Sequence, residues 1–162
     1  MLPKRRLGRT GLEVRVLGLG GIPVRDRKWD ESIAVVQAAL EHGLNFIDTA
    51  RGYGDSEKKI GAALEAAGCR RQVYVATKTP ERKAAGAKAE VDKSLRKLQT
   101  DYIDIYQLHG VDEREDLEQV LAADGALAGL KEVRQEGKVR FIGITGHDPK
   151  LLREAIMTGE FD

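Results

Sequence analysis

The sequence predicts an α/β fold with a parallel sheet, built from about five repeats of a strand followed by a helix. Short apolar runs rich in β-branched and aromatic residues alternate with longer segments of helical periodicity. The runs begin near positions 16, 45, 73, 102 and 139, a spacing of roughly 28 to 37 residues that is typical of one βα unit. Strands that alternate with helices in this way indicate parallel pairing.

The apolar runs and the amphipathic stretches place the individual elements. We predict strands over residues 16–21, 45–48, 73–77, 102–108 and 139–144. We predict helices over residues 30–43, 55–67, 86–98, 126–137 and 149–158. A β-hairpin over residues 5–14, with Thr10 and Gly11 in its turn, precedes the first parallel strand and would cover one end of a barrel.

Two architectures are compatible with this order of elements. One is an open five-stranded sheet, and the other is the first five units of an eight-stranded barrel. A complete (βα)8 barrel takes about 250 residues, whereas this chain has 162. Residues 160–162 come directly after the fifth predicted helix, where a sixth strand would be expected to begin.

Composition restricts the classes of function. The chain has 27 Lys and Arg against 26 Asp and Glu, a balance that argues against nucleic-acid binding through a general basic field. No apolar run approaches the roughly 18 residues of a membrane span, and no apolar segment follows the basic N-terminus as in a secretory signal. Cys69 is the only cysteine, which excludes an internal disulfide or a cysteine zinc site. We therefore expect a cytoplasmic protein.

Polar side chains lie at the ends of three predicted strands. Strand two ends in Asp48, strand three in Lys78 and strand four in His109. Tyr53 follows Asp48 in the loop TARGYG (49–54). Because ligands bind at the C-terminal ends of parallel strands, we expect these four side chains to surround one site.

This combination of side chains suits proton transfer to a carbonyl oxygen. A tyrosine hydroxyl is a poor acid at neutral pH, and a neighbouring cation makes it a better one. Lys78 would be that cation and Asp48 its counter-charge. His109 would orient the substrate oxygen or share the proton. Each residue taken singly also has an ordinary structural explanation, such as helix capping or packing.

Three motifs in order resemble the aldo-keto reductase family, NAD(P)H-dependent enzymes on a βα barrel. They are NFIDTARGYGDSE (45–57), TK (77–78) and DIYQLH (104–109). The segments LGRTGLEV (7–14), LGLGG (17–21) and GKVRFIGI (137–144) are similar to the family as well. The amino-acid sequence of these motifs is most similar to bacterial and archaeal members, some of which carry a C-terminal ferredoxin-like region.

The resemblance implies a fold, a reaction and a set of site residues. The fold is a partial (βα)8 TIM barrel, in which an N-terminal hairpin and about five parallel βα units occupy residues 1–162 and strands six to eight are absent. The reaction is hydride transfer from NADPH to a small aldehyde or ketone, with Asp48, Tyr53, Lys78 and His109 as catalytic residues. Gly21, Asp48 and Thr145 would contact NADP(H), and no metal ion is implied. Where the family often has a Ser-Asn pair after strand five, this chain has Thr145 and a glycine.

The rival hypothesis belongs to another class, a non-catalytic half-barrel. Five parallel strands leave two unpaired sheet edges, and such edges invite pairing with another chain. Apolar side chains that face the barrel interior would also be exposed. On this hypothesis the chain self-associates through its open edges or belongs to a longer reductase chain. On the reductase hypothesis, too, we expect the 162 residues alone to be weakly active or inactive.

Overall fold

The strands are hydrogen-bonded in chain order. The computed structural model describes residues 2–162, in which the hairpin strands β1 (Lys4–Leu7) and β2 (Leu12–Arg15) pair antiparallel. The parallel strands are β3 (Leu19–Gly20), β4 (Phe46–Asp48), β5 (Tyr74–Thr79), β6 (Ile103–Leu108) and β7 (Val139–Ile144). Their order in the sheet is β3-β4-β5-β6-β7. A doubly wound sheet reverses its strand order part-way, whereas a barrel adds each strand beside the last, so the predicted partial barrel is confirmed.

The helices cover the outer face of this sheet. They are α1 (Ile22–Asp26), α2 (Trp29–Glu41), α3 (Ser56–Ala66), α4 (Ala84–Leu98), α5 (Arg114–Leu121), α6 (Ala126–Gln135) and α7 (Pro149–Met157). Outward-facing strand residues such as Ile47, Val75, Tyr106 and Ile142 form the main core together with the buried helix faces. The predicted helices agree with α2, α3, α4, α6 and α7 to within about two residues.

Two helices, α1 and α5, are not predicted from the sequence. The five residues of α1 are too few to show a period. The buried ammonium of Lys59 holds this segment by donating to the carbonyls of Val24, Arg25 and Arg27. The segment REDLEQVL of α5 is mostly polar and buries only Leu117 and Val120, so its apolar stripe is weak.

The first parallel strand is shorter than predicted. The sequence predicts residues 16–21, but only Leu19–Gly20 pairs with β4. The amide of Val16 donates to the carbonyl of Pro3, 3.1 Å away, so this residue continues the hairpin. Val16 and Leu17 are 51% and 55% exposed, which an interior strand would not allow.

The hairpin covers the N-terminal end of the parallel sheet. Leu12 and Val14 are buried against Ala76 and Ile105, which face the barrel interior. Just before β4, the Asn45 side chain accepts from the Arg15 amide at 2.7 Å and donates to the Glu13 carbonyl at 2.9 Å. The C-terminal ends of the strands lie at the opposite end of the sheet from the hairpin.

No helix in residues 2–162 has both the length and the apolar character that crossing a membrane requires.

Candidate active site

Asp48 and Lys78 form an ion pair at the C-terminal ends of β4 and β5. Asp48 pairs in register with Ala76, so Lys78 lies two residues further along β5 on the same interior face. The Lys78 ammonium donates to Asp48 Oδ2 at 2.5 Å and to the Thr49 carbonyl at 2.8 Å. Lys78 is 6% exposed, whereas the Asp48 side chain is 37% exposed. The buried cation is therefore compensated by a carboxylate that still reaches solvent.

The Tyr53 ring lies next to this ion pair. Its loop is attached to β5 through the amides of Thr49 and Arg51, which donate to the carbonyls of Ala76 and Lys78. The Lys78 Nζ lies 5.1 Å from the centroid of the Tyr53 ring. The structure thus places the phenol directly beside the cation that the sequence analysis assigned to it.

His109 completes the group of four. It follows β6, where its amide donates to the Thr79 carbonyl at 2.9 Å. Its ring centroid is 5.8 Å from that of Tyr53, and the two planes are nearly perpendicular at 82°. The structure therefore brings Asp48, Tyr53, Lys78 and His109 together at one end of the barrel, and their catalytic roles stay a prediction.

Partial burial favours the neutral form of the His109 imidazole. Burial lowers the pKa of this imidazole below its usual value, and the Lys78 ammonium lowers it further, against the opposing effect of Asp48. A neutral imidazole has one nitrogen that donates and one that accepts. His109 is therefore suited to hold a carbonyl oxygen through a hydrogen bond.

Two arginines that the sequence analysis missed hold the loops of this site. Arg82 donates to the carbonyls of His109 and Gly110 at 3.1 and 2.8 Å and pairs through two hydrogen bonds with Asp116 on α5. Arg51 lies in the Tyr53 loop and pairs with carboxylates on α3 and α4. Arg51 lies within the motif over residues 45–57 and Arg82 belongs to no periodic pattern. The role of each depends on contacts with distant segments, which leave no local signal in the sequence.

Gly21 is a point of close packing beneath the site. A Cβ at this position would lie 2.7 Å from both Ser56 Oγ and Thr49 Oγ1. The Gly21 amide donates to the Asp48 carbonyl at 2.7 Å, and its carbonyl accepts from the Ser56 hydroxyl at 2.8 Å. Packing alone thus requires glycine here, and a contact of Gly21 with a cofactor stays a prediction.

Thr145 follows β7 on the same rim. Its amide donates to the Leu108 carbonyl at 2.8 Å, and its hydroxyl accepts from the Gly110 amide at 3.2 Å. A Cβ on the next residue, Gly146, would overlap the carbonyl oxygen of Val111. The glycine at the second position of this pair therefore follows from the close approach of the β6–α5 loop.

The fold and the site together define a partial barrel of βα units with a cluster of polar side chains at its C-terminal end. A family model described as "Aldo/keto reductase family" matches residues 16–162. The chain belongs to the aldo-keto reductase family, as the resemblance of its motifs predicts.

Individual relatives agree with the family assignment. The chain is 39% identical over 155 residues to L-galactose dehydrogenase of Arabidopsis thaliana, covering 88% of this chain and 48% of that protein. It is 37% identical over 153 residues to the aldo-keto reductase YhdN of Bacillus subtilis, covering 84% of this chain and 44% of that protein. The holo form of aldo-keto reductase AKR11C1 from Bacillus halodurans superposes with a TM-score of 0.84 at 33% identity, covering 97% of this chain and 54% of that one. The chain spans about half the length of the curated relatives it matches.

Proposed function

We propose that this chain contributes the acid–base side chains of a nicotinamide-dependent reductase of aldehyde and ketone carbonyls. The proposal rests on one observation, the meeting of Tyr53, the Asp48–Lys78 ion pair and His109 at the C-terminal end of a parallel barrel sheet. Ligands bind at this end of βα barrels. Membership of the aldo-keto reductase family supports the class of reaction.

Tyr53 is the proton donor in this proposal. As the carbonyl carbon is reduced, negative charge develops on its oxygen, and the Tyr53 hydroxyl protonates that oxygen to give the alcohol. The Lys78 ammonium stabilises the negative charge that remains on the phenol oxygen. Asp48 supplies the counter-charge of this ammonium, which is almost completely buried. His109 donates a hydrogen bond that holds the carbonyl oxygen near Tyr53.

The described residues fit the reacting end of a nicotinamide cofactor. Gly21, Asp48 and Thr145 lie at the ends of three strands around the open end of the barrel, with a partly exposed carboxylate and a half-buried hydroxyl among them. We propose that they hold the nicotinamide and its ribose, with NADP(H) as the cofactor. When bound, the reduced nicotinamide supplies the hydride for the carbonyl carbon. The holo form of the Bacillus halodurans relative supports cofactor binding in this family.

A small carbonyl compound is the proposed substrate. The name of the Arabidopsis relative, L-galactose dehydrogenase, makes this sugar a first compound to test in the direction of oxidation. A cytoplasmic location, and the absence of nucleic-acid, membrane and metal partners, stay predictions from composition and resemblance. Residues 2–162 contain no cluster of three or more His, Cys, Asp or Glu side chains that could hold a metal ion.

We also propose that residues 1–162 form the first five units of a barrel domain, and that their open edges support self-association. The edge strands of the described sheet are β3 and β7. A groove of about 560 Å³ runs along β7 between Phe141 and Ile156. Ile156 and Met157 are 61% and 75% exposed. Light scattering at micromolar concentration tests this proposal, and a monodisperse monomer would contradict it.

The reductase proposal is tested by cofactor binding and turnover together. NADPH is titrated by fluorescence into the wild-type chain and into Tyr53→Phe, and NADPH consumption is followed with a panel of small aldehydes and ketones. We expect NADPH binding in both proteins and turnover in the wild type alone, and we expect that turnover to be weak because the chain spans about half the length of its curated relatives. Equal turnover in both proteins would overturn the proposal, and failure to bind at millimolar NADPH would favour the non-catalytic half-barrel or a function only within a longer reductase chain.

A further inference from the structure

Arg51 lies two residues before Tyr53 and is buried between two helices. Its side chain is only 13% exposed. The guanidinium donates from Nη1 to Glu57 Oε2 on α3 at 2.6 Å and from Nε to Glu90 Oε2 on α4 at 2.5 Å. A single planar group therefore connects the loop after β4 to two separate helices.

The same network reaches the strand that bears the cation. The second carboxylate oxygen of Glu57, a residue that is 1% exposed, accepts from the hydroxyl of Thr77 at 2.8 Å. Thr77 directly precedes Lys78 on β5, and the Arg51 amide donates to the Lys78 carbonyl at 2.9 Å. The side chain and the backbone of Arg51 thus link the Tyr53 loop to β5 by two independent routes.

The charges of this cluster balance. Lys93 donates to the other oxygen of Glu90 at 2.7 Å, so two cations face two carboxylates. Burial by itself would lower the pKa of Arg51, but its hydrogen bonds with Glu90 and Glu57 outweigh that effect and raise the pKa. The guanidinium therefore stays charged with both partners in place.

Stability alone does not account for such an arrangement. Taking charged groups out of water costs so much free energy that well-packed apolar side chains are often equally or more stabilising. A planar guanidinium held by two carboxylates does, however, fix position and orientation, because its donors are in a rigid geometry. We therefore expect this cluster to act by fixing the position of the loop that bears Tyr53.

We infer that Arg51 is a positioning residue for Tyr53. Its planar guanidinium, which contacts Glu57 and Glu90 as a fork, sets the distance between the phenol ring and the Lys78 ammonium. The inference rests on the proposed role of Tyr53 as proton donor. A misplacement of about 1 Å at a reacting group reduces turnover by about 10²-fold. For Arg51→Gln we therefore expect kcat to fall by about 10²-fold, with KM for the carbonyl compound changed by less than about twofold.

A charge-conserving variant separates position from electrostatics. Lysine retains the positive charge but lacks the planar fork that contacts two carboxylates at once. Positioning predicts that Arg51→Lys loses most of the turnover that Arg51→Gln loses, whereas a purely electrostatic effect predicts turnover near that of the wild type. The matched control is Lys88→Gln on α4, which breaks an exposed ion pair with Glu132 on α6 and is expected to leave turnover unchanged.

A second measurement needs no turnover. The edge-to-face contact of the Tyr53 and His109 rings is followed by the nuclear Overhauser effect between their ring protons in the 162-residue chain. We expect this contact in the wild type and in Lys88→Gln, and its loss in Arg51→Gln and Arg51→Lys under conditions where urea titration shows the variants to be folded. If Arg51→Gln does not fold, Glu90→Gln, which replaces one of the two charged acceptors of Arg51 by a neutral amide, provides the same comparison.

The outcomes distinguish this inference from the proposed function. An unchanged ring contact in folded Arg51→Gln or Glu90→Gln, or a loss of turnover that only parallels the loss of folded protein, would overturn the role of Arg51. Intact turnover in Tyr53→Phe would instead overturn the reductase proposal, while the ring contact would still report whether Arg51 positions Tyr53.

Discussion

Two clusters of ion pairs lie at the two ends of the same parallel sheet. At the N-terminal end of β6, the Asp104 carboxylate is 1% exposed and accepts from Arg70, from the Val75 amide and from Arg140, at distances of 3.0, 3.0 and 2.8 Å. The Arg70 guanidinium also stacks on the Tyr102 ring at 4.2 Å. Both oxygens of this carboxylate already accept hydrogen bonds from the protein, so this cluster is suited to holding the strands together.

The cluster at the C-terminal end uses the same chemistry with fewer partners. Asp48 receives one hydrogen bond from Lys78 and remains 37% exposed, beside the half-buried rings of Tyr53 and His109. A carboxylate is saturated when both of its oxygens accept hydrogen bonds from the protein, and such a group holds strands together. A carboxylate that is still exposed to solvent leaves its neighbours able to contact a ligand. The degree of saturation, rather than the presence of an ion pair, separates the two ends.

The largest effect is expected for Tyr53→Phe, which removes the one hydroxyl that the proposal assigns to proton donation. Positioned general acids contribute about 10²- to 10⁴-fold, and we expect kcat/KM to fall by a factor in that range. Because the phenol ring and its packing are retained, the free energy of unfolding should change by less than about 0.5 kcal/mol. Steady-state kinetics and urea unfolding of the same preparation check both statements, and a large loss of stability would contradict the comparison.

Asp104→Ala should have the reverse profile. It leaves Arg70 and Arg140 without their shared partner, and breaking a buried ion pair destabilises by about 3–5 kcal/mol. Since the Arg140 side chain is 44% exposed and recovers hydration, we expect the lower end of that range. Urea unfolding measures the change, and turnover per folded molecule should stay that of the wild type. A loss below about 1 kcal/mol would show that saturation does not distinguish the two carboxylates.

The same substitution at the other end, Asp48→Ala, should change stability much less. The carboxylate is more than one-third exposed, so water can take its place beside the Lys78 ammonium, and we expect a loss below the roughly 3–5 kcal/mol of a fully buried pair. Lys78 also retains its hydrogen bond to the Thr49 carbonyl. Parallel urea titrations of the two alanine variants test the difference directly, and equal destabilisation would contradict it.

The smallest effect concerns the pH dependence of stability from His109. Its pKa is lower in the folded chain than in the unfolded one, so between the two values the unfolded state binds more protons. The free energy of unfolding should therefore rise with pH through this window and level off above about pH 6.5. The charged groups acting on this imidazole are Lys78, Asp48, Arg82 and His147.

His109→Gln should remove this rise without affecting the other titrations. Urea unfolding at several pH values below and above about 6.5 measures it as the difference between wild type and variant. The same slope in both proteins would show that His109 is not the group responsible.

The sequence predicts the regular part of this molecule well. The strands β5 and β6 are mostly buried, β7 is partly buried, and all three are rich in β-branched and aromatic residues. The three site residues at strand ends are spaced by one βα period. Tyr53 is found because its motif resembles a family. These signals are local or periodic, and they therefore survive in a single sequence.

The parts that could not be predicted depend on contacts between distant segments. Arg51 meets Glu90, which is 39 residues away along the chain, and Arg82 meets Asp116 at a separation of 34. The short helix α1 owes its position to Lys59, more than thirty residues later. A lone basic residue in a loop has the same appearance in the sequence whether it is solvated or holds an active-site loop in place.

The docking of the N-terminal hairpin has a consequence for the order of folding. Its strands are adjacent in sequence and can pair as soon as they are made, but the side chains of Leu12 and Val14 pack on Ala76 and Ile105. During synthesis these apolar side chains stay uncovered until β5 and β6 have formed. Such a late, long-range contact slows folding in comparison with the local hairpin itself. The hairpin is therefore synthesised before β5 and β6 but reaches its final place only after them.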